Sequence, residues 1–202
     1  MKKLILTLLL SSNVYASTDI ADNFSYFGFG YKATNYSSDA MTPYFGKQYH
    51  NSENKDLAGL YLDASANIVD DIFIEGYADF RTRFSSDIDT KSAGVGYVFA
   101  RSATFSLPVS CGVVNYRGDR QERPSFSETA GYCNIGVKSQ IAKHWMADLS
   151  YQYEAVEEHK NTIGLKNVFQ LGSTFGLVAG LEYANRTDNE FSYNLGIQFS
   201  FK

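Results

Sequence analysis

Charged residues fall on alternate positions in a chain that is otherwise rich in aromatic residues and glycine: Lys32, Asp63, Glu75, Asp79, Arg81, Arg83, Lys138, Asp148, Glu154, Lys166 and Glu182. Their neighbours on either side are mostly apolar, so in extended chain the charges share one face and the apolar groups the other. Two kinds of chemistry suit such a set. Side chains of both signs lining a water-filled passage would tune which ions pass. The same side chains packed in a narrow interior would form ion pairs, because buried charge is tolerated when it is paired. The near balance of acids and bases suits the second arrangement. Glycines on the same face, among them Gly28, Gly30, Gly94, Gly96, Gly164 and Gly180, leave room beside them and suit the first.

The elements that must position these residues are strands. Alternation at period two picks out ten segments, near 24–34, 57–68, 72–83, 90–100, 104–116, 127–140, 145–156, 162–171, 175–185 and 190–201. The last sets Phe191, Tyr193, Leu195, Ile197, Phe199 and Phe201 against Ser192, Asn194, Gly196, Gln198 and Ser200. One face is wholly apolar and the other carries no large apolar group. Tight connections at 69–71, 101–103, 141–144 and 172–174 alternate with connections that are mostly longer, the longest being 35–56. The fold class this implies is all-β: an antiparallel up-and-down transmembrane β-barrel of about ten strands, with eight as the alternative count.

Alternation alone also suits a soluble, lipocalin-like barrel with its apolar face inward. Position along the strands distinguishes the two. Phe99, Phe105, Trp145, Phe199 and Phe201 lie near the tight turns, and Phe80, Tyr153, Tyr183, Phe191 and Tyr193 near the long loops, with Leu62, Val95, Val109, Leu149, Leu165 and Ile197 between. Two aromatic belts around an aliphatic band fit the two water–lipid interfaces. Asn167 and Gly76 break the apolar face, and a local bulge or a shifted register is the expected reason.

Lys2 and Lys3 precede the apolar run Leu4 to Leu10 and the small-residue site Val14-Tyr15-Ala16, so residues 1–16 read as a removed signal peptide and 17–202 as the barrel domain. Without the two leader lysines, 16 basic residues face 22 acidic ones, a net charge of −6 that argues against a nucleic-acid partner.

In these features the chain resembles the small outer-membrane β-barrel superfamily of Gram-negative bacteria, the OmpA-like and opacity-protein-like, porin-like surface proteins. The resemblance covers essentially the whole mature chain and is most specific in the terminal strand Tyr193-x-Leu195-x-Ile197-x-Phe199-x-Phe201. In that family such a strand is the signal read by the outer-membrane assembly machinery, which usually finds an aromatic as the last residue; here Lys202 follows Phe201. The resemblance implies a location in the cell outer membrane, with its lipid and the assembly machinery as partners, and a monomer is expected. The superfamily contains pores, adhesins, envelope stabilisers and a few enzymes, so membership leaves the activity open.

Other reactive side chains are few. With a hairpin centred near Glu122, Cys111 falls opposite Cys133 on the lipid-facing parity, which gives either a disulfide in an exported chain or two inert thiols. No histidine or carboxylate accompanies them at ligand spacing, so no metal is expected. A lipid A deacylase would place a histidine on the lipid-facing wall, and His50, His144 and His159 all fall in connections. For an omptin-like protease the nearest grouping is His159 with Glu154, Glu157 and Glu158, which also reads as solvated loop charge. The sequence thus points to a surface protein with no catalytic centre and no cofactor, small and porin-like, or else an adhesin or envelope-stability protein. Loop 35–56, with Tyr36, Tyr44, Phe45, Tyr49 and His50, has three readings: a simply solvated loop, a contact surface for host or phage ligands, or a segment that folds inward and plugs the lumen.

Overall fold

The computed structural model describes residues 24–45, 55–120 and 124–201. The leader segment, Tyr49, His50 and Lys202 lie outside the described residues. Ten strands are present among the described residues: β1 (Tyr26–Tyr36), β2 (Lys55–Val69), β3 (Ile72–Arg83), β4 (Ser86–Ser102), β5 (Phe105–Arg120), β6 (Phe126–Ala142), β7 (Trp145–Glu154), β8 (Lys160–Gln170), β9 (Phe175–Asn185) and β10 (Asn189–Ser200). Each pairs antiparallel with its sequence neighbours, and β1 pairs with β10 to close the barrel. Closure leaves no strand edge unpaired, the condition for backbone to cross hydrocarbon.

The four connections expected to be tight, 69–71, 101–103, 141–144 and 172–174, all lie at one end, together with the start of β1 and the end of β10; we call this the inner end. Three bulges sit just before these turns, and the extra residue in each is an exposed apolar side chain: Ile68, Phe99 and Ile141. The second bulge lies across from Pro108, which has no N–H to offer the ladder. Asn167, by contrast, needs no bulge. Its pairing with Ala147 is regular, and its side-chain oxygen accepts a hydrogen bond of 3.0 Å from the Trp145 indole. Gly76 likewise keeps regular register between Ala64 and Ala93.

The apolar parity faces outward all round the wall, with Leu60, Val95, Leu149, Ile163 and Leu195 exposed around its middle. At the inner end Phe29, Phe175 and Phe199 cluster, and Trp145 stacks on Phe169 at 5.7 Å. Towards the other end Phe80, Tyr153, Tyr183, Phe191 and Tyr193 are exposed. A wall of this kind is stable only when hydrocarbon covers it. The terminal-strand residues share it: Tyr193, Leu195 and Phe201 are exposed and Ile197 and Phe199 half-buried, with the Phe201 N–H donating to the Ser25 carbonyl at 2.8 Å.

One departure from the sequence expectation concerns the outer end of β3–β6. Residues 84–89 read as a longer connection, whereas β3 and β4 meet in a two-residue turn at Phe84 and Ser85. Phe84 is 96% exposed and takes φ 52°, a left-handed conformation that costs a bulky residue free energy. The physical reason for the longer strands is that alternation continues past the lipid band with its polarity reversed. Asp87, Asp89 and Lys91 now face outward, and Ser86, Ile88 and Thr90 face in. In β5 the same switch sends Arg117 and Asp119 out and Val114 and Tyr116 in. Above the membrane the solvents on the two sides of the wall have changed places.

Cys111 and Cys133 are directly paired across β5 and β6, face outward, and are joined by a disulfide. Their separation of 22 residues closes a loop whose lost entropy in the unfolded chain is worth about 3 kcal/mol. Replacing both with alanine should therefore lower unfolding stability by about that amount. Denaturant titration of the reconstituted barrel, with and without a reductant applied to the unfolded chain, measures it; equal midpoints would show that no bond forms.

Candidate functional site: the barrel interior

Four of the inward charges, Lys32, Asp79, Arg81 and Glu182, meet in the middle of the lumen as a connected network. Arg81 Nε donates to Asp79 Oδ1 at 2.9 Å, while its guanidinium also reaches Thr34 (3.1 Å), Thr90 (3.0 Å) and the Tyr36 hydroxyl. Lys32 donates to Glu182 Oε2 at 2.6 Å and to the Tyr77 hydroxyl at 3.0 Å, and lies 3.6 Å from Asp79. Nearer the inner end Lys166 pairs with Asp63 at 2.5 Å and Lys138 lies 4.0 Å from Asp148. Glu75 and Glu154 are in ion pairs with none of the described cations. The Tyr132 hydroxyl donates to Glu75 at 2.8 Å, and Tyr116 and Gln152 donate to Glu154 at 2.6 and 2.8 Å. Arg83 does not belong to this set. It has the inward parity, but β3 ends there, and the side chain sits half exposed at the outer rim beside Asp56.

The outer mouth holds a stopper. After β1 the chain turns back into the barrel through a single helical turn, α1 (Thr42–Phe45), and Ala40, Met41 and Tyr44 are completely buried. They pack with Tyr36, Leu57, Ile88, Val114, Tyr116 and Tyr132, which the strands turn inward, and with Val156 of the β7–β8 connection. The described part of the loop is therefore a plug, and Tyr36 and Tyr44 are withdrawn from any outer contact surface. Close approach to β5 is possible because residue 118 is glycine: a Cβ there would lie 1.8 Å from the Tyr44 carbonyl oxygen.

Four charged residues absent from the expected set hold this stopper. The Tyr44 hydroxyl donates to Glu190 Oε1 at 2.7 Å and accepts from Lys160 Nζ at 2.8 Å, and Lys160 is 3.0 Å from Glu190 Oε2. The Arg186 guanidinium, ion-paired with Glu128, lies over the Tyr44 ring at 5.0 Å. Glu128 and Glu190 already fall on the inward parity of segments 127–140 and 190–201, and continuing the inward parity of segments 162–171 and 175–185 outward by one step finds Lys160 and Arg186. At the outer surface the Asn189 N–H, with Ser37, holds the Asp188 carboxyl below its usual range, tying the stem of the stopper to the β9–β10 turn.

The inner mouth is filled as well. Phe24, just ahead of β1, stacks on Phe73 at 4.7 Å and packs on Val98, with Lys138 Nζ 3.9 Å from its ring centre. Gly96 makes room, since a Cβ there would meet the Phe73 ring at 2.1 Å. Met146, Val168 and Val178 form a second apolar cluster. Between the two mouths lies a cavity of about 260 Å³ lined by Lys32, Asp63, Glu75, Asp79, Glu154, Lys166 and Glu182 among others.

His159 does not meet its acidic neighbour in a catalytic arrangement. Its Nδ1 lies 3.0 Å from the Tyr153 hydroxyl on the outside of the wall, whereas Glu154 is buried on the inside. His144 occupies the β6–β7 turn. Among the described residues no group of three or more histidine, cysteine or carboxylate side chains is arranged to hold a metal.

A closed, even-stranded antiparallel barrel with a lipid-facing wall and, across the lipid band, charge kept to its interior is a transmembrane β-barrel. No protein-family model and no curated protein matches the chain. Among solved structures it is similar to Ail, the attachment invasion locus protein of Yersinia pestis, at 16% identity and a TM-score of 0.47, over 89% of this chain and 99% of that one. It is also similar to the KdgM porin (12% identity, TM-score 0.45, 87% and 99% covered) and to the outer membrane protein OprG from Pseudomonas aeruginosa (11%, 0.44, 90% and 98%).

Proposed function

We propose that the protein is a non-catalytic surface component of the outer membrane whose barrel is closed at rest. It serves the envelope through its wall and outer surface, and it is not an open, porin-like passage. The observation that carries this reading is the seat of Tyr44: a completely buried ring and a hydroxyl bonded to both Lys160 and Glu190. An idle loop would not bury that hydroxyl and supply both its partners. The test is planar-bilayer recording of the purified, folded protein. No sustained current above the bilayer baseline is expected, and stepwise conductance of the unmodified protein would overturn the reading.

A further inference from the structure

Both stoppers belong to the two flanks of one strand. Phe24 lies ahead of β1 and Tyr44 after it, and neither is part of the hydrogen-bonded wall. A stopper outside the ladder can leave without breaking the barrel, so the lumen's own contents decide what would pass. Four cationic side chains line the cavity against seven carboxylates. Lys138 lies next to Asp148 but outside that lining, which still leaves the carboxylates ahead.

Glu75 and Glu154 account for most of the imbalance. Neither forms an ion pair among the described residues, and each instead accepts hydrogen bonds from tyrosine hydroxyls. The cavity therefore has a negative potential confined by a low-dielectric wall, which concentrates cations and repels anions.

We infer that the barrel contains a latent, cation-selective conductance, held shut by Tyr44 at the outer mouth and by Phe24 stacked on Phe73 at the inner one. Small cations are the permeant class, and Glu75 and Glu154 set the preference. This rests on the closed-barrel reading above, because the stoppers have a task only if the unmodified protein is shut.

The experiment is bilayer recording under a KCl gradient, comparing the unmodified protein with a variant in which Phe24, Phe73 and Tyr44 are all alanine. A second variant replaces Tyr44→Ala by Gly118→Val, which keeps Tyr44 but denies its backbone the close approach to β5. Heat-modifiable migration in gels establishes that each barrel is folded. The expected result is silence from the unmodified protein and steps of current from both opened variants, with a potassium-over-chloride permeability ratio of about ten. Adding Glu75→Gln and Glu154→Gln to the opened barrel should bring that ratio down towards one. Folded opened variants that stay silent, pass anions preferentially, or keep their selectivity after the two glutamine substitutions would overturn this inference while leaving the closed-barrel reading intact. Current through the unmodified protein would overturn both.

Discussion

Leu195→Arg is expected to cost about 2–4 kcal/mol of stability in a bilayer and to reduce the amount of barrel reaching the membrane. Leu195 lies in the middle of β10, 62% exposed, between Tyr31 of β1 and Ala179 of β9 on the outer wall. Neither of these cross-strand neighbours carries a carboxylate that could pair with a guanidinium. The charge would have to stay in hydrocarbon, drag water in, or reach for the headgroups at the expense of local order. Unfolding in urea from lipid vesicles, followed through the single tryptophan Trp145 on the same wall, measures the loss. A Leu195→Arg barrel as stable as the parent would mean that this face does not contact lipid. Because β10 also closes the barrel on β1, the damage falls on the closing pairing as well as on the finished wall.

The second large effect is expected inside. Arg81→Met should destabilise the barrel by about 3–5 kcal/mol, the loss typical when one partner of a buried ion pair is removed. Arg81 joins three strands, touching Thr34 and Tyr36 of β1, Asp79 of its own β3, and Thr90 of β4. Without it Asp79 keeps the Tyr77 hydroxyl at 2.9 Å and Lys32 at 3.6 Å, and its Oδ1 loses the Arg81 donor. The double variant Arg81→Met with Asp79→Leu should lose less than the single variant, because it removes both charges together. Equal losses, or a larger loss in the double variant, would show that the hub acts through its hydroxyl contacts and not through the pair.

Much of the wall was legible in the sequence because both of its solvents are uniform across the membrane. Leu60, Leu62, Ile72 and Ile74 must all meet lipid, and Asp63 and Glu75 must not, so period two with fixed polarity reads the register directly. The same rule failed at residues 84–89, where the outside becomes water and the inside becomes a packed core. Asp87-Ile88-Asp89 is as regular as any strand, but with the sense reversed it looks like a loop. The site was legible in part for the same reason. Parity identified Lys32, Asp79 and Arg81 as inward, and placed Arg83 inward too, because parity does not record where a strand stops. Nothing local marked Tyr44 as a stopper. Its partners Lys160 and Glu190 lie more than a hundred residues away and come together only when β1 meets β10.

The outward-facing disulfide acts as a time stamp. Thiol–disulfide exchange needs a thiolate and an accessible sulfur, and hydrocarbon offers neither charge solvation nor a path for a water-borne reagent. Once the wall is in place, Cys111 and Cys133 keep whichever state they had on arrival. The fraction of bonded chains in the membrane is then a record of the redox conditions that the chain met in transit. It does not report on the conditions around the finished barrel.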